Sequence, residues 1–228
     1  MESGKFTADE VFYDICSTIF AGLDTSSHAL TSILYFLKKN PDVMTKLKSE
    51  LAKYGITKDL NPEDPTFKDK IERCDYLTYC VKEGLRLDPP LNTSIFYEAL
   101  ENIDICGIPI PKGGVIQLHA LPPHLNPDQW YEPFKFIPER FDPEHKYFQP
   151  PKGEKKIRHT LSYMPFSYGP RNCAGQAMAY LTMKIILSRI MTKLDFEVDQ
   201  GLLENEDARF SVLSVLKLKS KIIHSEYD

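Results

Sequence analysis

The sequence predicts a mainly α-helical protein with small β-sheets, an α+β arrangement. Helical periodicity runs with few breaks through the first 87 residues and returns after Cys173, whereas period-two alternation is confined to Ser94–Leu121 and the C-terminal region. Composition agrees with a packed core: of 228 residues, 42% are hydrophobic and 26% charged.

Thr7-Ala8-Asp9-Glu10 is a capping box, so a helix is expected to start there. Val11, Ile15, Ile19, Leu23, Leu30, Ile33, Leu34 and Leu37 carry it over 7–39. Roughly 30 residues at the helical rise span about 45 Å. Asn40-Pro41-Asp42 supplies an N-cap, a first-position proline and an acid in the first turn, predicting a second helix over 41–54 that stops at Gly55. After the loop Leu60–Pro65, a third helix over 70–87 gathers Ile71, Leu77, Val81 and Leu85 and ends before Asp88-Pro89-Pro90. Strands are expected at Ser94–Leu100, Ile103–Ile110 and Val115–Leu121, the last two joined by the turn Pro111-Lys112-Gly113-Gly114. Residues 122–165 form a proline-rich meander without sustained periodicity, of the kind that is usually functional. A loop and helix occupy 166–194, with Ala177, Leu181, Ile185, Ile186 and Ile190 on one stripe, and strands at Phe196–Val198, Phe210–Leu218 and Ile222 fill 195–226.

The formal charge of −4 offers no basic excess, so no nucleic-acid partner is expected. Apolar runs are interrupted within a few residues, so none crosses a bilayer, and Met1-Glu2-Ser3-Gly4-Lys5 lacks the apolar region of a signal peptide. Cysteines at 16, 74, 80, 106 and 173 show no Cys-x-x-Cys spacing. This argues against disulfides and structural zinc, favours a reducing compartment, and leaves most of the thiols as small buried hydrophobes.

Cys173 differs from the others. In Phe166-Ser167-Tyr168-Gly169-Pro170-Arg171-Asn172-Cys173-Ala174-Gly175 the Gly-Pro pair forces a turn, the cysteine precedes a helix, and Gly175 permits close approach of something flat. Helix-start N–H groups and Arg171 favour a thiolate. A phosphate-cradling loop lacks its Gly-Lys-Ser/Thr ending, and a Cys-His nucleophile lacks a recognised signature. A third, competing reading treats the thiolate as the axial ligand of a haem, with Arg171 facing a propionate and Phe166 shielding the sulfur.

Phe-x-x-Gly-x-Arg-x-Cys-x-Gly resembles the haem-binding signature of the cytochrome P450 family, in which a cysteine thiolate pushes electron density toward O–O cleavage. Other motifs follow in family order. Glu83-Gly84-Leu85-Arg86 looks like the family's Glu-x-x-Arg pair, and Phe136-Ile137-Pro138-Glu139-Arg140-Phe141 like its Pro-x-Arg segment. The resemblance implies a buried triad of Glu83, Arg86 and Arg140 that braces the meander. Ala21-Gly22-Leu23-Asp24-Thr25-Ser26 resembles the oxygen-activation motif, which implies that Gly22 leaves room for O2, that Ala21 lies against cofactor and substrate, that Thr25 turns its hydroxyl to a backbone carbonyl, and that Asp24 with Thr25 relays protons. His124-Leu125-Asn126-Pro127 before Trp130 looks like the family's His-Arg-Asp-Pro stretch, which implies His124 as a propionate donor. Phe96-Tyr97 stand where the family commonly has a propionate-binding arginine.

The resemblance implies the C-terminal half of the family's catalytic fold, with haem b ligated by Cys173. It implies O2 and a hydrophobic small-molecule substrate, met by Phe20, Leu91, Thr93, Ile95 and residues around Val212–Val215. Electrons are expected from an NADPH-dependent reductase docking near Lys146, Lys152, Lys155, Lys156 and Arg158. The expected activity is a haem-thiolate monooxygenase at the cytosolic face of the endoplasmic reticulum membrane, anchored only through a segment absent from this chain. The alternatives are an incomplete fragment needing its N-terminal half and a haem-thiolate isomerase or dehydratase. The Asp24-Thr25 pair argues against the isomerase or dehydratase.

Overall fold

The computed structural model describes residues 6–94, 96–152, 157–198 and 220–225. Helix α1 spans Ala8–Lys39, and its N-terminus carries the reciprocal capping box. The Glu10 amide donates to Thr7 Oγ1 at 3.2 Å, and the Thr7 amide donates to Glu10 Oε2 at 2.8 Å. Helix α2, Pro41–Lys53, follows directly. Asn40 is its N-cap residue as expected, but the side chain makes no capping bond: the amide group turns back and donates from Nδ2 to the Phe36 carbonyl at 2.8 Å, closing α1.

The helix expected over 70–87 is two helices, α3 at Phe67–Glu72 and α4 at Asp75–Leu87. The break has a tertiary cause. Glu50 of α2 accepts the amides of Tyr76 and Leu77, each at 2.8 Å, and so caps a fresh N-terminus. Burial raises the Glu50 carboxyl above its ordinary range, while the two amide bonds oppose the shift.

The strands are shorter than the alternation suggested. Strands β1, Tyr97–Glu98, and β4, Val115–Ile116, pair antiparallel, as do β2, Ile103–Ile105, and β3, Ile108–Ile110. The single strand expected over Ile103–Ile110 is therefore a hairpin. Cys106 and Gly107 take φ of 53° and 84°, the left-handed pair that a two-residue hairpin turn requires, and Asp104 Oδ1 accepts the Gly107 amide at 2.8 Å. The expected strand Val115–Leu121 also ends early, because Pro122 and Pro123 open a short helix α5, Leu121–Leu125. Single 3-10 turns at Pro138–Phe141, Lys146–Phe148 and Thr160–Ser162 punctuate the meander. Helix α6, Gln176–Lys193, leads into β5, Leu194–Val198, which pairs antiparallel with β6, Ser220–Ser225. The strand expected at Phe210–Leu218 lies outside the described residues.

One core joins the C-terminal half of α1 to α2, α3, α4, α6 and β5 through Ile33, Leu37, Leu51, Ile71, Leu77 and Leu187. Phe136 of the meander stacks on Phe36 of α1, ring centroids 5.2 Å apart. Buried positions on α1 begin only at Ala29. Before it, Val11, Phe12, Ile15, Ile19, Phe20 and Leu23 are exposed, and at the helical repeat they share one broad face of the helix. Cys74 and Cys80 are buried, but Cys16, Cys106 and Cys173 are exposed, so burial is not the rule for these thiols.

Close approach of α1 and α4 depends on Gly84. A Cβ there would lie 2.3 Å from Cγ1 of the fully buried Ile33. Alanine in place of a mid-helix glycine gains about 1 kcal/mol of helix propensity, but forced overpacking costs about 1–3 kcal/mol or more. Gly84→Ala is accordingly expected to lower the urea midpoint of unfolding, whereas propensity alone would raise it.

Candidate functional site

The site is built outward from Glu83, which with Arg86 and Arg140 has a side chain fully shielded from solvent. Arg86 grips the carboxylate with two bonds, Nε to Oε2 at 2.7 Å and Nη2 to Oε1 at 2.8 Å. Arg140 Nε donates to Oε1 at 3.0 Å, and the Ile137 amide donates to the same oxygen at 2.9 Å. One buried carboxylate thus faces two buried guanidiniums. The surplus positive charge is met by backbone carbonyls of the meander. Arg86 donates to those of His124 at 2.8 Å and Pro133 at 2.7 Å, and Arg140 to those of Tyr131 and, at 2.7 Å, Glu132. A segment with little regular structure of its own thereby has its carbonyl groups satisfied.

Arg158 belongs to the same network. It donates to the carbonyls of Arg140 at 2.6 Å and Tyr147 at 2.9 Å, and lies 4.2 Å above the Trp130 ring. Burial, reinforced by Arg140, pulls its guanidinium down to about 10, so it stays charged at neutral pH. This removes Arg158 from the basic docking patch expected from sequence. Lys152 is paired with Asp128 at 2.7 Å, and Lys155 and Lys156 lie outside the described residues.

His124 corrects another expectation. The residue is fully buried, with Nδ1 3.2 Å from the Arg86 carbonyl and Nε2 accepting the Met164 amide at 2.8 Å. Accepting at Nε2 leaves the single N–H on Nδ1, where it donates to Arg86. No ring N–H is left for a propionate. The ring instead ties α4 to the approach of the cysteine loop.

Beyond Met164, the Ser167 amide donates to the Met164 carbonyl at 3.1 Å, and the Cys173 amide to the Phe166 carbonyl at 3.0 Å, closing the loop. Ser167 and Gly169 both hold positive φ, 65° and 92°. Glycine adopts that region freely and serine does not. Cys173 lies two residues before the N-cap Gly175, outside the first turn of α6, so the helix start expected beneath the sulfur is displaced along the chain. The Phe166 ring packs 5.1 Å from that of Tyr180 on α6, whose hydroxyl is 3.1 Å from that of Tyr163.

The surface around this loop is open. Cys173, Arg171 and Gly169 are exposed, and among the described residues Arg171 forms no salt bridge. A Cβ on Gly175 would touch Cys173 Sγ at 3.8 Å, and one on Gly169 would meet nothing within 4 Å. An accessible thiol, an unpaired guanidinium and two bare glycines fit a flat, anionic, sulfur-ligated group such as haem.

On α1, Ala21, Gly22 and Asp24 are exposed and Thr25 half-buried. Thr25 Oγ1 donates to the Ala21 carbonyl at 2.7 Å. Thr18 and Thr31 make the same bond to the residues four before them, so the bond is the ordinary habit of a helical threonine. A Cβ on Gly22 would meet nothing within 4 Å. Phe20 and Leu91 are exposed, and Thr93 bridges His119, while Ile95 and Val212–Val215 lie outside the described residues. Phe96 is exposed and Tyr97 sits in β1 opposite Ile116. The sequence did not disclose two contributors, Gly84 and Arg158. Their signals, a glycine inside a helical stripe and an arginine at the end of a basic cluster, are too common to single out.

Burial, with Arg86 close by, lowers the His124 imidazole from 6.5 to about 4. As pH falls from 6.5 towards 4, the unfolded chain takes up this proton and the folded chain does not, so stability is lost across that window. Between pH 7 and pH 4.5 the wild type should lose about 2.5 kcal/mol more than His124→Gln. Parallel urea titrations of the two proteins at both pH values measure the difference.

Comparison with known proteins agrees with this geometry. The Cytochrome P450 family model matches residues 1–224. Cytochrome P450 3A41 of Mus musculus is 34% identical over 179 residues, 78% of this chain and 32% of that protein. Cytochrome P450 4F2 of Homo sapiens is 34% identical over 198 residues, 86% of this chain and 35% of the relative. The chain spans about a third of the length of the curated relatives it matches. With a family model covering nearly every residue and a cysteine loop, triad and long helix in one fold, the chain belongs to the cytochrome P450 family.

Proposed function

We propose that this chain forms the haem-binding portion of a haem-thiolate monooxygenase, with Cys173 as the iron ligand. The observation that carries the proposal is the Cys173 loop: an exposed thiol in a turn closed by its own amide on the Phe166 carbonyl, flanked by an exposed Arg171 and by glycines that leave the sulfur uncovered. When bound, haem held by a thiolate supplies activation of dioxygen and transfer of one oxygen atom to a carbon–hydrogen bond.

The residues divide the remaining work. Cys173 Sγ holds the iron, Arg171 pairs with a propionate, and Phe166 limits water at the sulfur. Asp24, exposed on α1, exchanges protons with water, and Thr25 Oγ1 passes a proton on when it leaves the Ala21 carbonyl. Exposed apolar side chains at Phe20 and Leu91 suit a hydrophobic substrate. Electrons come from an NADPH-dependent reductase, and the whole enzyme works at the cytosolic face of the endoplasmic reticulum membrane. Among the described residues no helix is long and apolar enough to cross a membrane.

A second reading has its own support. The first half of α1 exposes a broad apolar face, including Phe20 at 73% and Leu23 at 65%, and such a face is normally packed against a partner. On this reading the chain acts only together with the rest of the family fold.

One experiment addresses both. The chain is supplied with haem, reduced under carbon monoxide and scanned for the strongly red-shifted Soret band of thiolate ligation. The band is expected in the wild type and absent in Cys173→Ala; persistence in the variant would reject the ligand. A band seen only in an N-terminally extended chain would favour the second reading. In a reconstituted system Thr25→Ala is expected to raise reductant consumption relative to product, and unchanged coupling would remove Thr25 from the relay.

A further inference from the structure

A second polar cluster joins α1 to α4, apart from the triad. His28 Nε2 lies 3.0 Å from Asp88 Oδ2, with side chains 10% and 5% exposed. Ser32 Oγ donates to the same carboxylate oxygen and sits 3.4 Å from His28 Nε2. Ser32 and Asp88 are both buried. A carboxylate withdrawn from water is costly unless its partners are good, and α1 and α4 already pack through Gly84 and Ile33.

The place of the cluster in the chain shows what it fixes. Asp24, His28 and Ser32 recur every four residues, so they lie along one ridge of α1 that begins in the Asp24–Thr25 turn. Asp88 is the C-cap of α4, with its amide on the Gly84 carbonyl at 2.9 Å. The buried Pro89 follows, and then Leu91–Thr93. The far side of that segment is held by the Ala120 amide on the Asn92 carbonyl at 2.8 Å, and by the Ser94 amide on the Leu118 carbonyl at 2.7 Å.

We propose that Asp88, gripped by His28 and Ser32, is a positioning residue that sets the Leu91–Thr93 segment against the Asp24–Thr25 turn of α1. The inference rests on the proposed function in assigning Leu91 and Thr93 to substrate. The latch itself is a property of the chain. Loosening it moves the apolar wall relative to the proton-carrying turn, so discrimination by shape falls while iron ligation by Cys173 stays.

Two measurements test it. In the chain without haem, Asp88→Ala is expected to speed amide hydrogen exchange at Ser94 and Ala120 roughly tenfold, the effect of losing one buried charged hydrogen bond. The amide of Ile56, donated to the Leu51 carbonyl, should be unaffected. Asp88→Asn keeps an acceptor oxygen and should restore the wild-type rates. If exchange rises everywhere in Asp88→Ala, His28→Ala is used in its place, and it should give the local pattern alone. Unchanged rates at Ser94 and Ala120, or a uniform rise in both variants, would overturn the proposal. In the haem-loaded chain, the ratio of 4-phenylimidazole to imidazole affinity, read from the Soret shift, should fall about tenfold in Asp88→Ala and recover in Asp88→Asn. An unchanged ratio would overturn the positioning role. Absence of any Soret band in every variant would instead reject the haem reading, and the exchange rates alone would then decide the latch.

Discussion

The fold around the candidate site depends on one buried carboxylate. Glu83 stands between Arg86 and Arg140 with no access to water, and its charge keeps both guanidiniums where they can serve the meander. Removing one partner from such a cluster costs about 3–5 kcal/mol, because the remaining charges stay buried and uncompensated. That is a large part of the stability of an ordinary domain. The guanidiniums in turn satisfy carbonyl groups at His124, Tyr131, Glu132 and Pro133, in a segment where helix and strand do not. His124 passes the constraint on through Met164, and the Phe166 carbonyl fixes Cys173. The position of the thiol is therefore set by charge burial on α4.

The structure divides into a braced part and an open part. The C-terminal half of α1 and helices α2, α4 and α6 share a core, and the triad anchors the meander against it. The first half of α1, the Cys173 loop and the start of α6 face solvent. The chain covers about a third of its relatives' length, and an apolar helix face as exposed as this one is uncommon on a protein surface.

Much of this was legible in the sequence, for physical reasons that differ by element. The capping box at Thr7–Glu10 and the apolar repeat of α1 are local signals, and a long helix follows from them without tertiary help. The break before α4 was not legible, because it is made by Glu50, 26 residues away from Tyr76. The hairpin at Cys106-Gly107 left two local signs, the glycine and a slip of the alternation by one residue from Ile103 and Ile105 to Ile108 and Ile110, but over so short a run neither separates a turn from a bulge in one strand. The triad residues were readable only as a resemblance, since a Glu-x-x-Arg pair on a helix is by itself an ordinary surface ion pair. The resemblance suggested a propionate donor at His124, but burial beside Arg86 and the demand of the Met164 amide took both ring nitrogens. Distances in space decided each of these cases, and sequence spacing carries little of that information.

Amide hydrogen exchange in Glu83→Gln shows whether Glu83 sets the cysteine loop through the meander and His124. Faster exchange is expected at the Met164 and Cys173 amides, with the Ile56 amide keeping its protection in conditions where the variant stays folded. Wild-type exchange at Met164 and Cys173 in a folded Glu83→Gln protein would contradict it.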